Sequence, residues 1–154
     1  MRSAIGNSLL LNLVIVFVSL IILFFIGILS YSKAYRVKNR IVEVIEKYGQ
    51  YNKTVENYID SDLSESGYDA SSSGACTQAR SRLSRLALDP LPVNLNSEGY
   101  NYCVFEIDER KKVSNGKYYI VVTFVNFEFP IIGDMINIPV YGETKILGKS
   151  YDYE

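Results

Sequence analysis

LLLNLVIVFVSLIILFFIGIL, Leu9 to Leu29, is a run of 21 residues without a charged side chain. Only Asn12, Ser19 and Gly27 interrupt it. As an α-helix it rises about 30 Å, the thickness of a bilayer's hydrocarbon core. A cleaved secretory signal has a shorter apolar region, followed by a small-residue cleavage site. Here the run passes directly into YSKAYRVKNR, which has no such site. The stretch therefore reads as an uncleaved membrane anchor, and residues 1–30 as a leader and transmembrane helix.

The polar interruptions share a face. At 100° per residue, Ser8, Asn12, Ser19 and Ser30 fall within about 40° of one another, with Gly27 about 60° away. The opposite side is Leu, Ile, Val and Phe. Small and hydroxyl-bearing residues let membrane helices approach closely and hydrogen-bond across their interface. These five positions are the expected packing face for other membrane helices, alongside the lipid bilayer itself.

Outside the span the chain changes character. No Asp, Glu or Lys precedes Lys33, and the only earlier charge is Arg2. The remainder carries 15 basic and 17 acidic residues. That balance gives no basic surface for displacing counterions, which argues against a nucleic-acid partner. With no His and two Cys, most structural zinc sites and every His-dependent triad are excluded. No Walker loop, G-x-S-x-G or dinucleotide fingerprint occurs. The chain reads as a non-enzyme without cofactor or metal.

After the span, Ile41, Ile45, Tyr48, Val55 and Ile59 keep helical spacing, predicting an amphipathic stem helix over 31–60, broken or kinked near Gly49. The stripe packs either on the C-terminal region or on a neighbouring subunit. Residues 61–74 (SDLSESGYDASSSG) lose the apolar period and read as a linker.

Residues 75–154 read as a small α+β head. A short helix is expected over 75–88, with Ala75, Ala79, Leu83, Leu86 and Ala87 inward, and Pro90 and Pro92 stopping it. About three antiparallel strands follow: Tyr102–Asp108, Lys117–Phe129 and Met135–Leu147. KYYIVVTFVNFEF is apolar on both alternating faces, which makes it the central strand. Cys76 and Cys103 would form one disulfide, closing a loop of 27 sequence steps. The loop-entropy model gives that bridge about 3–4 kcal/mol.

Two signals disagree on orientation. Lys33, Arg36, Lys38 and Arg40 close behind the span place the head in the cytoplasm by the positive-inside rule. A disulfide and a Ser-rich linker place it outside. The head is expected outside the cytoplasm.

GILSYSKAYRVKNRIVEVIEKYG, following a polar leader and an apolar span and preceding a β-rich half, resembles the TadE-like pseudopilins of tight-adherence (type IV-like) pilus systems. Gly27, Lys33, Ala34, Tyr35, Val37, Lys38, Asn39 and Lys47-Tyr48-Gly49 stand in matching order, and FEFPIIGDMINIPVYGETKIL is similar to the family's final strands and their Pro-containing loop. The resemblance implies a single-pass structural subunit at the cell surface. Its partners would be pilin-like subunits or an assembly platform, with processing at Gly6–Asn7. One position departs: such pilins usually carry a Glu shortly after the leader Gly, whereas the fifth residue after Gly6 is Leu11. The alternative from the residues alone is a membrane-anchored extracytoplasmic ligand-binding or sensing domain. A tethered cytoplasmic domain is the third.

Overall fold

The computed structural model describes residues 2–65, 75–86, 88–93, 102–108, 116–127 and 136–148; for residues 2–7, 75, 126, 127, 136 and 137 this is the backbone alone. The fold is α+β, with helices α1 (Arg2–Tyr48), α2 (Lys53–Glu65) and α3 (Ala75–Arg85). Four strands follow: β1 (Leu91–Pro92), β2 (Tyr102–Asp108), β3 (Lys117–Phe127) and β4 (Ile136–Glu143). They form one antiparallel sheet in the order β1-β2-β3-β4.

Helix α1 has 47 residues and is about 70 Å long. From Leu9 to Leu29 its apolar side chains are bare, and its second half is built into the head. Ala34, Val37, Ile41, Val44 and Ile45 are buried, at spacings of 3, 4, 3 and 1 that trace one helical face. The helix stops where expected. Gly49 takes φ 70°, open to a residue without a Cβ, and its N–H donates to the Ile45 carbonyl at 2.9 Å. Asn52 then caps α2, its Oδ1 accepting the Val55 N–H at 3.0 Å.

Helices pack on both faces of the sheet. On one side Val37, Ile41, Val44 and Ile45 of α1 and Val55, Ile59 and Leu63 of α2 pack on Tyr102, Val104, Tyr119 and Val121. On the other, Ala79 and Leu83 of α3 pack on Cys103, Phe105, Ile107, Ile120, Val122 and Phe124. The doubly apolar pattern of β3 follows from its place between β2 and β4 with helices above and below.

Several boundaries differ from those read in the sequence. Among the described residues the sheet has four strands where about three are expected, the short β1 being the addition. Leu91 and Pro92, read as a helix stop, also pair with Glu106 and Phe105, and Pro is tolerated there because β1 is an edge. Helix α2 continues past Asp60 to Glu65, because Leu63 falls on the buried face of Val55 and Ile59. The expected linker thus loses 61–65, and 66–74 lie outside the described residues. The expected helix over 75–88 ends at Arg85, and Leu86 is 70% exposed, not inward. Tyr48 leaves the expected stripe, being 47% exposed with its ring 6.2 Å from that of Tyr58. The last strand covers 136–143, and Leu147 adds a single bridge to Lys117.

Stem and head share one core. Besides the apolar contacts, Arg40 meets Asp62 at 3.2 Å, and Glu46 accepts the Lys145 backbone N–H at 2.8 Å. These polar ties fix α1 against α2 and against the chain after β4.

Candidate functional site

From Leu9 to Leu29 every large apolar side chain of α1 is at least 41% exposed. None of its most apolar window is buried, so that apolar surface is unused by the described fold. Large contiguous apolar surfaces mark contact with a membrane or a partner. The helix is long and apolar enough to cross a membrane. Among the described residues it is the one helix of that kind.

The end of the apolar half is marked by aromatic and basic side chains. The Tyr31 and Tyr35 rings stack at 6.3 Å between centroids. The Lys38 ammonium sits 4.2 Å over the Tyr35 ring, while its stem is buried against the head. Tyr and Lys in this arrangement suit a boundary between hydrocarbon and water.

The expected packing positions have unequal surroundings. Ser8, Asn12 and Ser19 are exposed, and Gly27 and Ser30 are half-buried. The Ser19 hydroxyl donates to the Ile15 carbonyl one turn back at 2.8 Å, which leaves its lone pairs, not its proton, for a partner. Gly6 and Asn7 belong to the helical backbone of α1, and the Asn7 side chain lies outside the described residues. Because α1 is unbroken, its two halves can be compared in azimuth. At 100° per residue, Ser8, Asn12, Ser19 and Ser30 point within about 80° of Ala34, Val37, Ile41 and Val44. The small polar face is thus the upward continuation of the face that seats the head's sheet.

Cys76 of α3 and Cys103 of β2 are joined by a disulfide, with their Cα atoms 5.8 Å apart. It ties α3 to the sheet at the N-terminal end of the helix. Oxidised pairs persist in compartments outside the cytosol.

A buried polar cluster escaped the sequence reading. The Tyr102 hydroxyl donates to Asp60 Oδ1 at 3.0 Å and lies 3.4 Å from the Tyr51 hydroxyl. The cluster joins the α1–α2 turn, α2 and β2. Burial, reinforced by the neighbouring hydroxyl and carboxylate, pushes the Tyr102 phenol well above its usual range. Burial likewise raises Tyr51 and Asp60, although the hydrogen bond from Tyr102 offsets part of the Asp60 shift. Its members are 9, 42 and 51 positions apart, so no local spacing announces it. Among the described residues no group of three or more His, Cys, Asp or Glu side chains is placed to hold a metal ion.

Comparison of the chain with protein-family models, with curated proteins and with solved structures finds no match in any of the three.

Proposed function

We propose that this chain is a single-pass, pilin-like membrane subunit with a structural role in pilus or secretion-system assembly, its disulfide-bearing head outside the cytoplasm. The supporting observation is the division of α1. One uninterrupted helix offers a bare apolar half of membrane-spanning length and gives its other half to the core of a small sheet domain. A rigid rod of this kind couples any lateral packing in the membrane to the position of the head.

The packing face is Ser8, Asn12, Ser19, Gly27 and Ser30. Since it shares its azimuth with the sheet-seating face, a helix docked there lies beneath the sheet side of its neighbour's head. Successive subunits would then approach with a fixed relation between membrane contact and head contact. The Cys76–Cys103 disulfide supports the outward placement of the head, against the basic residues that follow the span.

Single-Cys substitutions test the face in membranes containing the full-length chain. Copper-phenanthroline oxidation is expected to cross-link copies carrying Cys at Ser8, Asn12 or Ser19, and not at Leu10, Phe17 or Ile28 on the opposite side. Equal cross-linking on both sides, or none, would overturn the packing face. Labelling intact cells with an impermeant thiol reagent after Cys is placed at exposed Glu143 tests the orientation, and protection from the reagent would place the head inside.

A further inference from the structure

The α3 side of the sheet is incompletely covered. Helix α3 packs over β2 and β3, and no described residue of β4 belongs to that core cluster. A groove of about 450 Å³ remains there. Its apolar wall comes from Leu83, Leu86, Leu88, Ile120 and the Tyr141 ring. That volume falls within the range of small-molecule sites. Arg82 and Arg85 also line it, with Glu143 the one carboxylate. Neither Arg has an ion-pair partner among the described residues.

We infer that this groove binds a single-chain anionic amphiphile, an acyl chain along the apolar wall with its carboxylate or phosphate at Arg82 and Arg85. Two cations against one carboxylate favour a negative headgroup, and Arg presents paired donors suited to such oxyanions. A peptide fits the groove less well. It would carry backbone N–H and C=O groups into a wall that offers them almost no partners. Pairing with the neighbouring edge is also hindered, because β4 contains Pro139, which has no N–H to donate. An acyl chain brings no such groups. Leu86, 70% exposed beside the groove, would be covered on binding. The assignment stands whether or not the chain enters a filament.

A photoreactive fatty acid with a diazirine on its chain tests this, using the full-length protein in zwitterionic nanodiscs and peptide mapping of adducts. Adducts are expected on peptides containing Leu83–Leu88 and on Ile120 or Tyr141. The matching fatty alcohol should label the groove about tenfold less, and the paired change Arg82→Gln with Arg85→Gln should erase that preference. Leu86→Asp, at an exposed position that leaves the core intact, should suppress groove labelling by the acid. Adducts confined to Leu9–Leu29, or equal labelling by acid and alcohol in the unmodified protein, would overturn the inference. So would a groove protected from labelling only as the protein self-associates, which would assign it to a second copy.

Discussion

The Thr123 hydroxyl donates a 3.0 Å hydrogen bond to the Ala34 carbonyl, joining the central strand to α1 across 89 residues. Both residues are buried, and Ala34 also packs against Val125 and Val140. This contact is where α1 passes from its bare half into the head. The small size of Ala34 lets the sheet approach the helix, and the hydroxyl fixes the height of the strand along it.

Replacing Thr123 with Val keeps the shape and removes the bond. The Ala34 carbonyl retains its helical partner, so the cost should be about 1 kcal/mol. Ala34→Leu forces extra volume into a filled contact and should cost more, about 1–3 kcal/mol. Urea unfolding of the full-length protein in nanodiscs, followed by head fluorescence, measures both. A Thr123→Val loss as large as that of Ala34→Leu would contradict the assignment of the helix–sheet contact to packing.

Gly142 of β4 and Lys38 of α1 form a second close approach. A Cβ built on Gly142 would lie 2.5 Å from Lys38 Cδ and 3.0 Å from Cγ and Cε. The Lys38 stem is pinned in the middle of its length, since its ammonium is held over Tyr35. Gly142→Ala is therefore expected to destabilise the head by about 1–3 kcal/mol. Lys38→Ala in the same chain should recover part of the loss. A double-mutant cycle checks it, and strict additivity of the two changes would show that the stem and the glycine do not meet.

What the sequence revealed follows from where the information lies. The span is a composition signal, Gly49 a backbone signal, and β3 an alternation with no polar face; each is local. The disulfide followed from there being two Cys in all. The α1 stripe is legible only in part, because its buried face begins with small Ala34 and includes Lys38, whose apolar stem packs while its charge escapes. Extending the helical period back from Ile41 through Val37 and Ala34 to Ser30 would have joined the two faces. Leu63 sat in a Ser-rich run that hid the last turn of α2. The pairing of Leu91–Pro92 with β2, the Tyr51–Tyr102–Asp60 cluster and the groove beside α3 depend on contacts between distant segments. No local spacing encodes them.

The Tyr102–Asp60 pair makes stability depend on pH in a defined direction. Both groups are raised above their ordinary values, so the folded state holds their protons more tightly than the unfolded chain does. For an acid shifted upward, stability is fully present below the unfolded pKa and is lost as pH rises through the folded value. The Asp60 contribution should therefore decline as pH climbs from about 4, and the Tyr102 contribution as pH climbs past about 10. Asp60→Asn should flatten the acid part of the profile relative to the unmodified chain, and Tyr102→Phe the alkaline part. Stability that rises with pH specifically because Asp60 is present would show the opposite shift.

The disulfide should matter most for α3. That helix contributes Ala79 and Leu83 to the core but touches the sheet far less than α1 does, and the Cys76–Cys103 bond is its covalent tie. Replacing both Cys with Ser frees a loop of 27 sequence steps in the unfolded chain. The loop-entropy model puts the cost at about 3–4 kcal/mol. Burying a hydroxyl at position 103, where Cys103 is 1% exposed, adds to it. Hydrogen exchange should separate local from global effects. Amides of Ala79–Arg85 should lose protection first and most, while Val121 and Val122, in the centre of β3 between two paired neighbours, should follow only the global loss. Uniform loss across α3 and β3 would mean that the bond stabilises the whole head without singling out the helix it anchors. Unchanged protection everywhere would mean that apolar packing alone holds α3 in place.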